Sequence, residues 1–135
     1  MATPALVPNG QTVYRGMRNS NWAKNGIVNY KAFMLRPATD RYSAEKEISL
    51  GLTPEKAVDE LKEYHGIASL SVMRIHLLPH GLSVRMNSQD AMKADIWGLP
   101  LHSEEQAQRG LAVTMATDLA GLANLILTVP PEPRR

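Results

Sequence analysis

The stretch from Ile48 to Pro54, Ile-Ser-Leu-Gly-Leu-Thr-Pro, sets the pattern for the rest of this 135-residue chain. It predicts the end of a strand, a short turn and the start of a helix, because Thr53 can cap a helix and Pro54 fits its first position. Apolar residues then recur with a 3.6-residue period, at Ala57, Val58, Leu61 and Tyr64, and Gly66 stands where a helix often stops. The spacing therefore predicts a helix over Pro54–His65.

Strand-forming segments precede this helix. Met1–Gly10 carries two prolines among small apolar residues and predicts a loosely ordered arm. Thr12–Arg15 is rich in strand formers and ends at Gly16, so it predicts a first strand. Even spacing of apolar residues predicts a second strand over Ile27–Leu35, which Pro37 prevents from continuing.

Strands also follow the helix. Alternation over Ile67–Leu77 and the short segment Leu82–Met86 predict two strands paired as a hairpin, with His80-Gly81 turning the chain. Ala94–Pro100 predicts a brief strand that glycine and proline stop.

A second helix is predicted over Glu104–Ala123. Ser103 and Gln106 fit a capping box, and acidic residues in the first turn suit the helix dipole. An apolar stripe follows at Leu111, Met115, Leu119 and Leu122. The next segment, 124–129, reads as a strand or as a continuation of the helix, and 130–135 as a solvated tail. The whole pattern predicts a single α+β domain, with a largely antiparallel sheet and two principal helices.

Composition removes several classes of protein. With 44% hydrophobic residues the chain can bury a core without cross-links, and the absence of cysteine excludes disulfides, thiolate zinc sites and cysteine catalysis. No signal peptide or stretch of eighteen apolar residues is present, so we expect no membrane span and a cytoplasmic location. A net charge of +2 does not argue for nucleic-acid binding.

Motif chemistry narrows the choice further. The four histidines are not spaced as a metal-binding pair on one helix, so we expect no metal. A phosphate-binding loop, a Rossmann fingerprint and a nucleophile elbow are all absent. Any nucleotide must therefore bind in another way.

Three polar points remain: Tyr14-Arg15-Gly16 at a strand end, Ser49 before a turn and helix, and the pair Glu104-Glu105 after a run of strands. In this order the chain resembles the arginine-serine-glutamate branch of the ADP-ribosyltransferase-like fold, over about Gln11 to Gln106. The resemblance implies that Arg15 contacts the phosphates of NAD, because a planar guanidinium matches phosphate with two hydrogen bonds. It also implies that Ser49 fixes an acid that stabilises the cation forming at the ribose.

The resemblance thus implies three catalytic residues, Arg15, Ser49 and Glu105 or its neighbour Glu104. It assigns Tyr14, Gly16 and Tyr30 to cofactor binding. The expected function is that of a small NAD-binding or nucleotide-binding domain of toxin or effector type, acting as an ADP-ribosyltransferase if it is an enzyme.

Other interpretations stay open at this point. Arg15 can pair with a surface acid, the Ser49 hydroxyl can bond a turn amide, and Glu104 and Glu105 suit any helix start. Trp22, Phe33 and Trp97 can be core residues or a base-stacking surface. The alternative function is a non-catalytic interaction domain or accessory subunit, a homo-oligomer in one form, whose cations face an acidic partner: Arg18, Lys24, Arg36 and Arg41.

Overall fold

Six strands form one sheet at the centre of the protein, and a two-stranded ribbon lies beside it. The computed structural model describes residues 3–41, 43–61 and 64–127. The strands are β1 (Thr12–Gly16), β2 (Ala23–Lys24), β3 (Ile27–Val28), β4 (Ile48–Gly51), β5 (Ile67–Ser71), β6 (Ser83–Met86), β7 (Lys93–Trp97) and β8 (Asn124–Leu127). The helices are α1 (Pro54–Val58), α2 (Val72–Leu77) and α3 (Gln106–Leu122), with short 3-10 helices at Ser20–Trp22 and Tyr30–Phe33.

The main sheet has the order β6-β7-β4-β1-β5-β8, and β2 pairs with β3. All of these pairings are antiparallel. The structure is therefore one small α+β domain with a largely antiparallel sheet, as the sequence predicts. No helix in the described ranges is both long and apolar enough to cross a membrane.

One face of the sheet carries the hydrophobic core. Side chains alternate along a strand, so Ile48 and Leu50 of β4 enter the core while Ser49 between them is exposed. The long helix α3 contributes Met115, Ala116 and Leu119, and the 3-10 helix Tyr30–Phe33 contributes Ala32 and Phe33. Core packing therefore fixes which side chains of the central strands face solvent.

The opposite face is covered in part by α1, which rests on two glycines. A Cβ atom at Gly16 would lie 2.4 Å from the carbonyl oxygen of Ala57, and one at Gly51 would lie 2.5 Å from the Ala57 nitrogen. Only glycine allows so close an approach of helix and strand backbones. Thr53 caps α1 as predicted, since its side chain accepts a hydrogen bond from the Lys56 nitrogen at 3.2 Å.

The described part of the predicted arm lies against the edge strand β6, through residues 5–7. The Val7 nitrogen donates to the Val84 oxygen at 2.8 Å, and the Met86 nitrogen donates to the Ala5 oxygen at 2.8 Å. Val7 is buried in the core. These contacts continue the sheet beyond β6 with irregular backbone. The predicted tail, 130–135, lies outside the described residues.

The helix predicted over Pro54–His65 is wrong in length, because α1 ends at Val58. The physical reason is a pair of backbone hydrogen bonds to Met17, the residue that follows β1. The His65 nitrogen donates to the Met17 oxygen at 2.6 Å, and the Met17 nitrogen donates to the Gly66 oxygen at 2.9 Å. The chain before β5 is thus bonded to the end of β1, which helical backbone would prevent. Among the helices of the described ranges only α3 is long, and its observed bounds agree closely with the predicted ones.

Two predicted strands are also wrong in part. Ile27–Leu35 contains only β3, because the Asn29 side chain accepts from the Lys31 nitrogen and starts a 3-10 helix. Ile67–Leu77 is a strand only to Ser71, whose hydroxyl accepts from the Arg74 nitrogen at 3.4 Å and caps α2. The predicted hairpin does not form, since β5 lies between β1 and β8 while β6 pairs with β7. The strand alternative for 124–129 is confirmed over Asn124–Leu127.

Candidate functional site

A small cavity opens beneath α1, where β1 ends and the antiparallel strand β4 begins. Its volume is about 160 Å³. The lining residues come from both strands, α1 and neighbouring loops: Arg15, Gly16, Arg18, Glu45, Ser49, Leu50, Lys56, Ala57, Asp59, Glu60, Leu61 and Lys93. The structure therefore brings the predicted residues Arg15, Gly16 and Ser49 to one place.

Arg15 is the most unusual group in this cavity, because a charged side chain is only 7% exposed. Its Nε donates to the Ala32 oxygen at 3.0 Å, and one terminal nitrogen donates to the Ser49 oxygen at 2.9 Å. Its guanidinium carbon lies 5.0 Å from the ring centre of Trp22, within cation–π range. No carboxylate of a described residue lies within 4 Å of it.

Burial lowers the pKa of Arg15 to about 10 because the charged form loses its hydration. The positive charge of Arg18 lowers this pKa further, and the negative charge of Glu45 opposes the shift. Within the described part of the chain, the second terminal nitrogen of Arg15 makes no hydrogen bond. This nitrogen is the donor that remains for a ligand.

The two lysines of the lining, Lys56 and Lys93, both form ion pairs with carboxylates. Lys56 lies 2.9 Å from Asp59 and 2.7 Å from Asp90, and these hydrogen bonds raise the pKa of Lys56. Lys93 lies 2.7 Å from Glu60. Arg18 is exposed and shares Trp22 with Arg15, its guanidinium carbon also 5.0 Å from the ring centre.

Glu45 is the one lining carboxylate outside these pairs. Its Oε1 accepts a hydrogen bond from the backbone nitrogen of Arg36 at 2.7 Å. The four lining cations are matched by Glu45, Asp59, Glu60 and the neighbouring Asp90, so the charges around the cavity balance. What favours an anion is local: the buried Arg15 guanidinium has no described carboxylate within 4 Å.

Ser49 contributes its carbonyl oxygen to Arg15, not its hydroxyl. Arg15 follows Val13 on the core side of β1, whereas the Ser49 side chain leaves β4 on the face that carries α1. The register agrees, because Tyr14 pairs with Gly51, two residues from Ser49 and on its face. The side chains of Arg15 and Ser49 therefore lie on opposite faces of the sheet, which differs from the predicted joint cleft.

Asp95 is the acid that lies beside Ser49. The two residues pair across β4 and β7, so their side chains share one face. Asp95 is 8% exposed, and its only hydrogen bond to a described side chain comes from Asn87 at 3.2 Å. Burial raises the pKa of the Asp95 carboxyl, and the nearby charge of Glu47 adds to the rise.

The sequence contains a signal for this acid. Asp95 is a lone acidic residue between the apolar residues Ala94 and Ile96 of a strand, where a charge is unexpected unless it has a role.

Glu104 and Glu105 do not line the Arg15 cavity. Both are exposed in the segment before α3, and Glu105 is the N-cap residue of that helix without a side-chain cap bond. Ser103 bonds the Glu105 nitrogen at 3.0 Å in place of the predicted capping box. The predicted meeting of Glu105 with Arg15 and Ser49 in one cleft is absent from the described structure.

The remaining predicted residues are divided between places. Tyr14 is half-buried on the α1 face of β1, next to Gly16. Tyr30 packs against the core and lines a different cavity beside α3. Trp22 and Phe33 belong to the core, and Trp97 is half-buried with the Arg85 guanidinium 5.7 Å from its ring centre.

No group of three or more His, Asp or Glu in the described ranges is arranged to hold a metal. Comparison of the chain with family models, with curated proteins and with solved structures finds no match in any of the three. The resemblance to the ADP-ribosyltransferase-like fold stays a prediction from the short motifs around Arg15 and Ser49.

Proposed function

We propose that this protein binds the phosphate of a nucleotide at the Arg15 cavity, and that NAD is the nucleotide. One observation carries the proposal: Arg15 is a nearly buried guanidinium without a carboxylate partner, and it lines a cavity together with a second arginine. A buried cation that lacks an anion is costly, and a phosphate would supply the missing charge with two strong hydrogen bonds.

The volume of the cavity limits what enters it. Pockets that enclose a whole cofactor or drug-sized ligand measure about 300 to 1,000 Å³, and this one is about 160 Å³. A phosphate group fits the cavity, and the nucleoside parts of NAD would lie on the surface around Arg18. The indole of Trp22 supports both guanidinium groups and keeps them in place.

Turnover would require a carboxylate close to the ribose. Asp95 is the acid that the sheet places beside Ser49, whereas Glu105 lies before α3. Asp95 shares the face of Ser49, opposite the Arg15 side chain, and neither Asp95 nor Glu105 lines the Arg15 cavity. The proposal is therefore binding of NAD, without a transfer step.

Calorimetric titration with NAD, ADP and pyrophosphate tests the binding step. Arg15→Lys should weaken NAD about tenfold or more, since lysine keeps the charge but loses the planar pair of donors. Lys24→Gln is the matched control, because Lys24 is an exposed cation that does not line the cavity. Circular dichroism and thermal melting establish that the lysine variant is folded.

Three outcomes count against the proposal. They are the absence of binding heat at millimolar NAD, ADP and pyrophosphate, an equal loss in Lys24→Gln, and unchanged affinity in a folded Arg15→Lys variant. Nicotinamide release is then measured for wild type, Asp95→Asn and Glu105→Gln. We expect no release from wild type, and release that either variant abolishes would show that the site is catalytic.

A second candidate is the interaction domain with an acidic partner. Arg18, Lys24 and Arg41 are exposed, and none of them makes an ion pair with a residue that the structure describes. Arg36 differs, since its guanidinium donates to the Ser43 oxygen at 3.4 Å. Binding of an acidic peptide that weakens with salt and in Lys24→Gln would favour this function, because NAD binding should be insensitive to that substitution.

A further inference from the structure

A second and larger cavity lies beside the first half of α3 and shares no lining residue with the Arg15 cavity. Its volume is about 490 Å³, which is within the range of sites that enclose small molecules. The lining residues come from the chain before β4, the loop after β7 and α3: Met34, Leu35, Pro100, Leu101, His102, Ser103, Gln106, Arg109, Gly110, Ala112 and Val113.

The walls of this cavity are apolar. Leu35 is buried at its base, and Met34 and Ala112 are half-buried. Leu101 is 51% exposed at its rim, although large apolar side chains gain free energy when they leave water. An apolar ligand body would cover Leu101 and Val113 and so complete their burial.

The charge of the lining is one-sided. Its titratable side chains, His102 and Arg109, are both bases. His102 lies 3.5 Å from Glu104, whereas Arg109 makes neither an ion pair nor a side-chain hydrogen bond with any residue in the described ranges. Glu104 and Glu105 precede α3 but do not line the cavity. Arg109 is therefore the group that would receive an acidic ligand.

We propose that this cavity binds a small monocarboxylic acid with an apolar body, such as a linear acid of medium length. The carboxylate pairs with Arg109, and the body lies against Met34, Leu101 and Val113. A guanidinium recognises a carboxylate through two parallel hydrogen bonds, and the apolar walls supply most of the affinity. This site is independent of the nucleotide site and of the outcome of its test.

Titration of the full chain with decanoate, decanol and decyltrimethylammonium, followed by NMR of the backbone amides, tests the proposal. Decanoate should shift the amides of α3 and the 100–103 loop, decanol should bind about two- to fivefold more weakly, and the cation should bind more weakly than decanol. Arg109→Gln should reduce decanoate to the level of decanol, in the range of an exposed ion pair. Arg74→Gln, an exposed arginine of α2, is the matched charge control.

A substitution that fills the cavity separates this site from general apolar adsorption. A Cβ atom at Gly110 meets no atom within 4 Å, and leucine favours a helix more than glycine does, so Gly110→Leu should fold and occupy the cavity. It should weaken decanoate at least about tenfold. Gly121→Leu is the control, because Gly121 is equally open on α3 but lines another cavity.

The proposal is overturned if decanoate produces no shifts at millimolar concentration, if the three head groups bind equally, or if Gly110→Leu and Gly121→Leu have the same effect. A dimer by native mass that Gly110→Leu dissociates would show that a second copy covers the cavity, and this result also overturns it.

Discussion

Replacing Gly16 by alanine tests the close packing of α1 against the sheet. The added Cβ would lie 2.4 Å from the Ala57 oxygen, 2.9 Å from Val58 Cγ1 and 3.1 Å from Leu61 Cδ1. An ordinary carbon–oxygen contact is about 3.3 to 3.6 Å, so α1 must withdraw by roughly 1 Å. Val58 is buried beneath this helix turn and would lose part of its packing. Overpacking of this kind costs about 1 to 3 kcal/mol.

Part of that cost is recovered in the unfolded chain, because alanine has less backbone freedom than glycine, by about 0.4 to 1 kcal/mol. We therefore expect Gly16→Ala to lower the free energy of unfolding by about 1 to 2 kcal/mol, measured by urea titration at 25 °C. Gly10→Ala is the control, since a Cβ there meets no atom within 4 Å and its φ angle is not positive. Equal stability of the two variants would refute the proposed contact between α1 and β1.

Two further predictions concern the core and the buried acid. Leu119→Ala should destabilise the protein by about 2 to 5 kcal/mol, because Leu119 is fully buried, while Leu111→Ala on the exposed side of α3 should change stability by less than about 0.5 kcal/mol. Similar urea midpoints for both variants would contradict the assigned core face. Asp95→Asn should be more stable than wild type at pH 7, and the difference should shrink as the pH falls towards about 4. The pKa of Asp95 in the folded protein is raised above its ordinary value of 3.8. At a pH between the ordinary and the raised pKa, the folded protein binds more protons than the unfolded chain, so its stability falls as the pH rises. A difference in unfolding free energy that grows on acidification would show the opposite shift.

Local signals in the sequence were sufficient for the elements that local chemistry determines. Thr53 and Pro54 start α1 where predicted, and α3 buries Met115 and Leu119 of its predicted apolar stripe, although Leu111 of that stripe is 49% exposed. The segment Thr12–Gly16 is a strand because it alternates between buried and exposed positions with strand-forming residues. These features are contained within a few neighbouring residues, so no tertiary information was needed.

Pairings between distant segments could not be read in the same way. The end of α1 depends on hydrogen bonds between Met17 and the chain before β5, which are far apart in sequence. The hairpin prediction failed because Ser71 caps a helix in the middle of an apolar alternating stretch. A side-chain cap or a distant strand partner can override the structure that the local apolar period favours. The period alone does not show which of these interactions determines the backbone.

The sequence predicted only part of the candidate site, because the site also depends on pairings between distant strands. Arg15 and Ser49 reach one cavity because β1 and β4 are neighbours, yet strand alternation sends their side chains to opposite faces. Order along the chain points to Glu105, whereas Asp95 lies next to Ser49 through the β4–β7 register. Order along the sequence therefore identified two of the strands but not the acid that the third one carries.

Arg15 connects the stability of this fold to its proposed function. Burial lowers the pKa of Arg15 to about 10, which corresponds to roughly 3 kcal/mol against the charged form, at about 1.4 kcal/mol per pKa unit. Hydrogen bonds to the Ala32 and Ser49 carbonyls offset part of this cost and fasten the 3-10 helix to β1 and β4. These hydrogen bonds use two of the three guanidinium nitrogens of Arg15. The structural role therefore does not account for the third nitrogen, in a side chain that also lines a cavity. A bound phosphate would restore the favourable state of the charge, so ligand binding should stabilise the folded protein more in wild type than in Arg15→Lys.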